Sequence, residues 1–137
     1  MDLERLKSIL REDEGLRLKK YRCSAGVWTI GYGRTGYIPD ECTLEQAEKW
    51  LHVDASWACW CAGDLFPKFE SLSKNRQIVL ACMVYQLGFS GTSKFRNFLS
   101  ALNSQAYDKA ADEMLDSKWH RQTPERCERL AKMMREG

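Results

Sequence analysis

Between Leu16 and Arg34 the chain abandons the helical spacing it keeps almost everywhere else. Ser24-Ala25-Gly26 reads as a turn and Val27-Trp28-Thr29-Ile30 has strand composition. Gly31, Gly33 and Gly36 then interrupt the next few residues, so any strand here is short. This predicts a small antiparallel sheet over about residues 16 to 38. Before it, Leu3, Leu6 and Leu10 fall one helical turn apart, giving an amphipathic helix from residue 2 to about 13, which Gly15 can stop.

Helical periods govern the rest. Thr43-Leu44-Glu45-Gln46 is a capping box, with Thr43 as N-cap and Gln46 reaching back. Leu44, Ala47, Leu51, Ala55, Ala58 and Ala62 continue one face of a long helix, which Pro67 ends. Gln77 to Val84 is apolar on nearly every side and predicts a helix buried all round, punctuated by Gly88 and Gly91. Phe95, Phe98, Leu99 and Leu102 form one further amphipathic set, and Tyr107, Ala110, Ala111, Met114 and Leu115 another. Thr123-Pro124 is an N-cap followed by proline at the first helical position, opening a last helix whose buried face is Cys127, Leu130, Ala131 and Met134. Helix, small sheet, long helix and helical bundle together give an α+β fold in two lobes, with a cleft expected between them. The expected division of this single domain of residues 1–137 is a sheet lobe over about 15–42, a connecting helix over about 43–65, and a helical lobe from about 1–14 and 66–137.

Bulk properties exclude more than they name. With 21 basic and 19 acidic residues the net charge is +2, and no dense Lys/Arg stripe supports nucleic-acid binding. No run approaches the roughly 18 apolar residues of a membrane span. The charges among residues 1 to 11 do not suit a signal peptide, so synthesis in the cytoplasm is expected. Cys23, Cys42, Cys59, Cys61, Cys82 and Cys127 fit no zinc spacing, and His52 and His120 are not a ligand pair, so no metal and no cofactor is expected. Cys82 reads as a small buried hydrophobe, and a disulfide framework is disfavoured by a cytoplasmic start. Trp50, Trp57 and Trp60, at helical spacing, are expected to pack against the sheet lobe rather than to stack on sugar, and Trp119 to pack beneath the cleft. For Lys19, Lys20 and Arg22 two readings stand: a solvated strand face, or a face that holds wall polymer.

One carboxylate stands out. Glu14 falls at the C-terminal end of the first helix beside Asp13, where the helix dipole disfavours a negative charge by up to about 1 kcal/mol. A side chain so placed, facing a cleft, suits a carboxylic acid that must stay protonated near neutral pH.

The stretch Asp13-Glu14-Gly15-Leu16-Arg17-Leu18-Lys19-Lys20-Tyr21, followed by Gly26-Val27-Trp28-Thr29-Ile30-Gly31-Tyr32-Gly33, resembles the active-site signature of phage-type lysozymes. Met83-Val84-Tyr85-Gln86-Leu87-Gly88 and Ser117-Lys118-Trp119-His120-Arg121-Gln122-Thr123-Pro124-Glu125-Arg126 extend the resemblance, which runs from about residue 3 to residue 137 and is weakest over 38 to 68. It implies a monomeric peptidoglycan hydrolase that cleaves the β-1,4 bond between N-acetylmuramic acid and N-acetylglucosamine and acts on the wall from the host cytoplasm. Glu14 takes the place of the general acid. Thr29 takes that of the threonine that helps place the attacking water, and Cys23 falls where the family usually has its catalytic aspartate. Tyr85, Gln86 and Phe98 match positions lining the cleft or its floor. Arg126 and Arg129 match arginines of the larger lobe, one near the catalytic Glu and one paired with Asp13. Cys23 leaves three outcomes open: a tolerated substitute, an attacking thiolate, or lost activity in a module that only binds peptidoglycan. Arg34 stands where the family commonly has a structural histidine, and Glu70 is its expected partner.

Overall fold

A computed structural model describes all 137 residues. In chain order the elements are α1 (Leu3–Glu14), β1 (Arg17–Arg22), β2 (Trp28–Gly31), α2 (Leu44–Leu65), a 3-10 turn at Phe69–Ser71, α3 (Lys74–Ser93), α4 (Arg96–Asn103), α5 (Tyr107–Leu115), α6 (Lys118–Gln122) and α7 (Pro124–Glu136). Mainly helical, with one two-stranded antiparallel sheet, this is the expected α+β architecture. No helix is long and apolar enough to cross a membrane.

The chain divides into two compact units, Asp2–Trp57 and Ala58–Gly137, with Met1 grouped with the second. α1, expected in the helical lobe, therefore clusters with the sheet. Side chains explain this: within the first unit Arg11 of α1 binds Glu48 of α2, and Lys7 donates to His52 Nδ1 at 3.2 Å. Leu6 and Leu10 are buried beneath them, each stabilising by about 1.5–3 kcal/mol. Asp2 caps α1 by accepting from the Arg5 N–H, and Gly15 closes it at φ 70°.

The sheet is a hairpin in which Arg22 faces Trp28, Tyr21 faces Thr29 and Arg17 faces Gly31, with an irregularity between Arg17 and Tyr21. Its turn is closed by Cys23 N–H to the Val27 carbonyl and Gly26 N–H to the Cys23 carbonyl. On its other edge β1 receives residues 40–42: Lys20 N–H donates to the Asp40 carbonyl and Cys42 N–H to the Leu18 carbonyl. The capping box forms as read, Thr43 N–H to Gln46 Oε1 and Gln46 N–H to Thr43 Oγ1. Ala47, Leu51, Ala55, Ala58 and Ala62 line the buried side of α2, but Leu44, at the first helical position, is exposed.

In the second unit every residue from Gln77 to Val84 is buried, and α3 is the core around which α7 packs. α3 breaks at Gly88, whose φ of 79° is non-helical, whereas Gly91 passes within the helix. α5 packs on α7 and α4, burying Phe98, Leu102, Met114, Leu130 and Met134. All six cysteines are free thiols. Cys82 is buried, as expected, and burial pushes the Cys127 thiol up to about 12.

Candidate active site

Glu14 is the last residue of α1, and its carboxylate lies against the loop that follows β2. That loop is a tight reversal: Ile30 and Arg34 exchange two backbone hydrogen bonds of 2.9 Å, leaving Gly31, Tyr32 and Gly33 to make the turn. Gly33 adopts φ +82°, and a Cβ there would stand 3.0 Å from Glu14 Oε1 and 3.1 Å from its Cδ. Glycine is required twice over, by the backbone conformation and by the closeness of the acid. In sequence Gly33 reads as a strand breaker and as the end of the signature run Thr29-Ile30-Gly31-Tyr32-Gly33, without a role of its own in the site.

A second feature that sequence reasoning missed fixes this corner. Arg11, one turn before Glu14, makes a fork to both oxygens of Glu48 at 2.7 to 3.2 Å, and Tyr32, next to Gly33, donates to Glu48 Oε2 at 2.6 Å. One carboxylate thus ties the end of α1, the glycine loop and α2 together. The Arg11 fork and then the Tyr32 hydroxyl lower the Glu48 carboxyl to about 2. Its stabilising effect is complete above the ordinary carboxyl range and is lost as pH falls from about 4.5 through 2. Glu48 is about one-third exposed, so screening reduces the effect to about 1–2 kcal/mol. Denaturant unfolding at pH 7 and pH 3 should show Glu48→Gln less stable than the parent at pH 7 and closer to it at pH 3. An equal gap at both pH values would contradict this.

The hairpin brings Cys23 and Thr29 together. Cys23 is half-exposed at the turn, and its thiol is held below the usual range by the Val27 backbone, then by the Ala25 backbone and the Thr29 hydroxyl. Thr29 is 4 % exposed and donates its hydroxyl to the Val27 carbonyl at 2.9 Å. Its single hydroxyl proton therefore has two acceptors within reach, the Val27 oxygen and the Cys23 sulfur. No group of His, Cys, Asp and Glu suited to holding a metal ion occurs.

The other expected site residues belong to Ala58–Gly137. Tyr85 and Gln86 are half-buried on α3. Gln86 accepts from Trp119 Nε1 at 3.0 Å and donates to Thr123 Oγ1 at 3.2 Å. Thr123 does precede α7, but its hydroxyl serves Gln86 and the Trp119 carbonyl and does not cap the helix. Phe98 is buried and forms part of the wall of a pocket of about 400 Å³, with Phe95, Trp119, Lys94 and Glu113 among its other walls. Arg126 is half-buried on α7 and Arg129 is exposed.

Two expectations are corrected. Arg34 pairs with Asp54 at 3.8 Å, not with Glu70, because α2 presents Asp54 one turn after Trp50, whose ring carries the guanidinium 5.1 Å above it. Trp50 also backs Gly31 of β2, as expected, but Trp57 and Trp60 are exposed. At 100° per residue both fall away from the Leu51–Ala55–Ala58 stripe, so neither can be buried by the face that packs.

Comparison with known proteins fits this geometry. A model of the phage lysozyme family matches residues 11–135. The chain is 29% identical over 160 aligned positions to a probable T4-type lysozyme of Dictyostelium discoideum, covering 96% of this chain and 94% of that protein. It is 33% identical over 113 positions to an endolysin of Acyrthosiphon pisum secondary endosymbiont phage 1, covering 81% of this chain and 74% of that protein. It is also 28% identical to the pre-baseplate central spike protein of Enterobacteria phage T4, covering 94% of this chain and 27% of that protein. The chain belongs to the phage lysozyme family and is an enzyme of the lysozyme type.

Proposed function

We propose that the chain hydrolyses bacterial peptidoglycan at the β-1,4 bond between N-acetylmuramic acid and N-acetylglucosamine, with Glu14 as general acid. The observation that carries this reading is the Glu14 carboxylate at the end of α1, laid against Gly33 in the same compact unit as Cys23 and Thr29. The relatives named lysozyme and endolysin support it.

Glu14 gives its proton to the oxygen of the departing N-acetylglucosamine as the bond to C1 breaks, and the sugar left behind passes through an oxocarbenium-like state. The opposite face belongs to Cys23 and Thr29. Thr29 directs its proton to the Val27 carbonyl, so its oxygen remains an acceptor that orients a water. That water attacks C1 and passes its proton to the Cys23 thiolate, which the Val27 and Ala25 backbone favours. Were Cys23 to attack C1 directly, Glu14, already ionised, could only take a proton from the incoming water, and the sulfur would have to leave as a thiolate, a poorer leaving group than a carboxylate, so turnover would stall. Water attack predicts inversion at C1. Tyr85, Gln86, Phe98 and Arg126 serve binding: Gln86 and Trp119 hold each other, and Phe98 helps wall the pocket of the helical unit. We read the chain as a monomer that acts on the bacterial wall from the host cytoplasm.

The bond cleaved is tested on the released fragments. Borohydride reduction followed by acid hydrolysis should yield muramitol, the mark of a muramic-acid reducing end. Glucosaminitol in its place would assign the cut to the other glycosidic bond and overturn the reading.

A further inference from the structure

The two faces of the hairpin carry different chemistry. Residues opposed across an antiparallel pair share a face, and neighbours along a strand alternate. Tyr21 and Thr29 are opposed, and Cys23, two residues beyond Tyr21, joins them on the face assigned to the reaction. Arg22 and Trp28 are opposed on the other face, and Lys20, two residues before Arg22, reaches the same ring. The Lys20 ammonium and the Arg22 guanidinium each lie 4.7 Å from the centre of the Trp28 ring.

We propose that this second face, built from Lys20, Arg22 and Trp28, is a separate holding surface for peptidoglycan that binds the carboxylates of its peptides. The proposal rests on the reading of the substrate given above.

Three observations carry it. Of the four cations that β1 carries within six residues, Arg17, Lys19, Lys20 and Arg22, two converge on the Trp28 ring of this face, in a chain whose net charge is only +2. An acidic partner covers only one of these two: Lys20 meets Asp40 at 2.8 Å, while Arg22 meets no carboxylate. Arg22 is instead held on an indole, as Arg17 is held 4.3 Å from the centre of the Tyr21 ring. A guanidinium stacked on a ring has little freedom left to lose and keeps its N–H edge for a planar anion, for which a carboxylate is the matching shape. A merely solvated strand would leave such a side chain unanchored. A phospholipid surface fits less well, because Trp28 is engaged by two cations and the other exposed apolar side chains of the hairpin, Leu16, Leu18 and Val27, are separated in the chain by charged or polar residues. A cross-linked wall presents polymer on more than one side of an enzyme working within it, so a grip on the face away from the reaction keeps the molecule on its substrate between cuts.

The test uses the full chain carrying Glu14→Gln and sacculi stripped of accessory polymers, with binding followed by sedimentation. Adding Lys20→Gln and Arg22→Gln should raise the apparent Kd about three- to tenfold at low salt, and the difference should vanish near 0.5 M salt, where the screening length is only about 4 Å. Arg22→Lys alone should weaken binding by a smaller factor than Arg22→Gln, because it keeps the charge and loses the planar fork. Amidating the carboxylates of the sacculi should weaken binding of the Glu14→Gln chain by a similar factor, an arm that needs no change in the sheet. With Glu14 restored, the Lys20→Gln, Arg22→Gln chain should show a raised KM on sacculi and unchanged kcat/KM on short soluble glycan fragments. Binding indifferent to both the substitutions and the amidation overturns the proposal. So does retention on phosphatidylglycerol vesicles, lost in the double variant, while binding to sacculi stays unchanged. Failure of the substrate reading would be separately visible, as sacculi left intact by the chain with Glu14 restored.

Discussion

Glu14→Gln is expected to lower wall-clearing activity by roughly 10² to 10⁴, the usual contribution of a general acid. The amide keeps the length and shape of the side chain but has no proton of the right acidity to give to a glycosidic oxygen. The fold should not suffer. Glu14 sits at the C-terminal end of α1, where a negative charge opposes the helix dipole, and the neutral amide removes that opposition. The melting temperature should therefore equal or slightly exceed that of the parent. Gln is also close to isosteric against Gly33, whose α-carbon leaves no spare room beside the carboxylate. Turbidity clearing of sacculi together with thermal unfolding decides the matter. Activity within about threefold of the parent would remove Glu14 from the mechanism. A large loss accompanied by unfolding would show that the residue holds the corner together.

Much of this arrangement was legible in the sequence because local rules and the fold agreed. The capping box of Thr43 and Gln46, the stop at Gly15 and the all-round apolar run of Gln77 to Val84 are statements about neighbours in the chain, and each forms as read. What stayed hidden depends on which distant partner a polar group chooses. Glu48 reads as one more charge on the polar side of a helix, yet it is the acceptor that ties Arg11 and Tyr32 to each other. Arg34 was expected to meet Glu70, whereas α2 brings Asp54 to it beside Trp50, which packs against β2. Thr29 is largely buried and its proton is committed to Val27, because a tight hairpin offers the carbonyl two residues back as the nearest acceptor, so only its oxygen is left to meet a water. The roles of Glu14, Cys23 and Thr29 came from resemblance to a family, since a carboxylate at a helix end, a turn cysteine and a strand threonine have ordinary structural uses.

Cys23 is where this chain departs most from its family's pattern, and Cys23→Asp is expected to move the acidic limb of the pH–activity profile. If the thiolate takes the proton of the attacking water, activity requires Cys23 to be ionised. An ordinary thiol ionises near 8.5 and an ordinary aspartate near 3.9. The Val27 and Ala25 backbone and the Thr29 hydroxyl pull the Cys23 thiol down from its ordinary value, so the parent should gain activity as pH rises into the neutral range. The aspartate would be ionised far below that, so at pH 5 the Cys23→Asp chain should exceed the parent by about tenfold or more. Cys23→Ser should be poor at every pH between 5 and 8, because its hydroxyl does not ionise there, and it should lose about 10² in rate. Alkylation of the parent should do the same or worse, since Cys23 is half-exposed and an adduct would fill the place of the water, while buried Cys82 and Cys127 should be spared. The anomer released adds an independent check: attack by water in one step gives the α product from a β bond. Parent and Cys23→Ser chains with equal activity and the same pH profile would show that position 23 moves no proton. Cys23 would then be a tolerated neighbour of a site that runs on Glu14 and Thr29 alone.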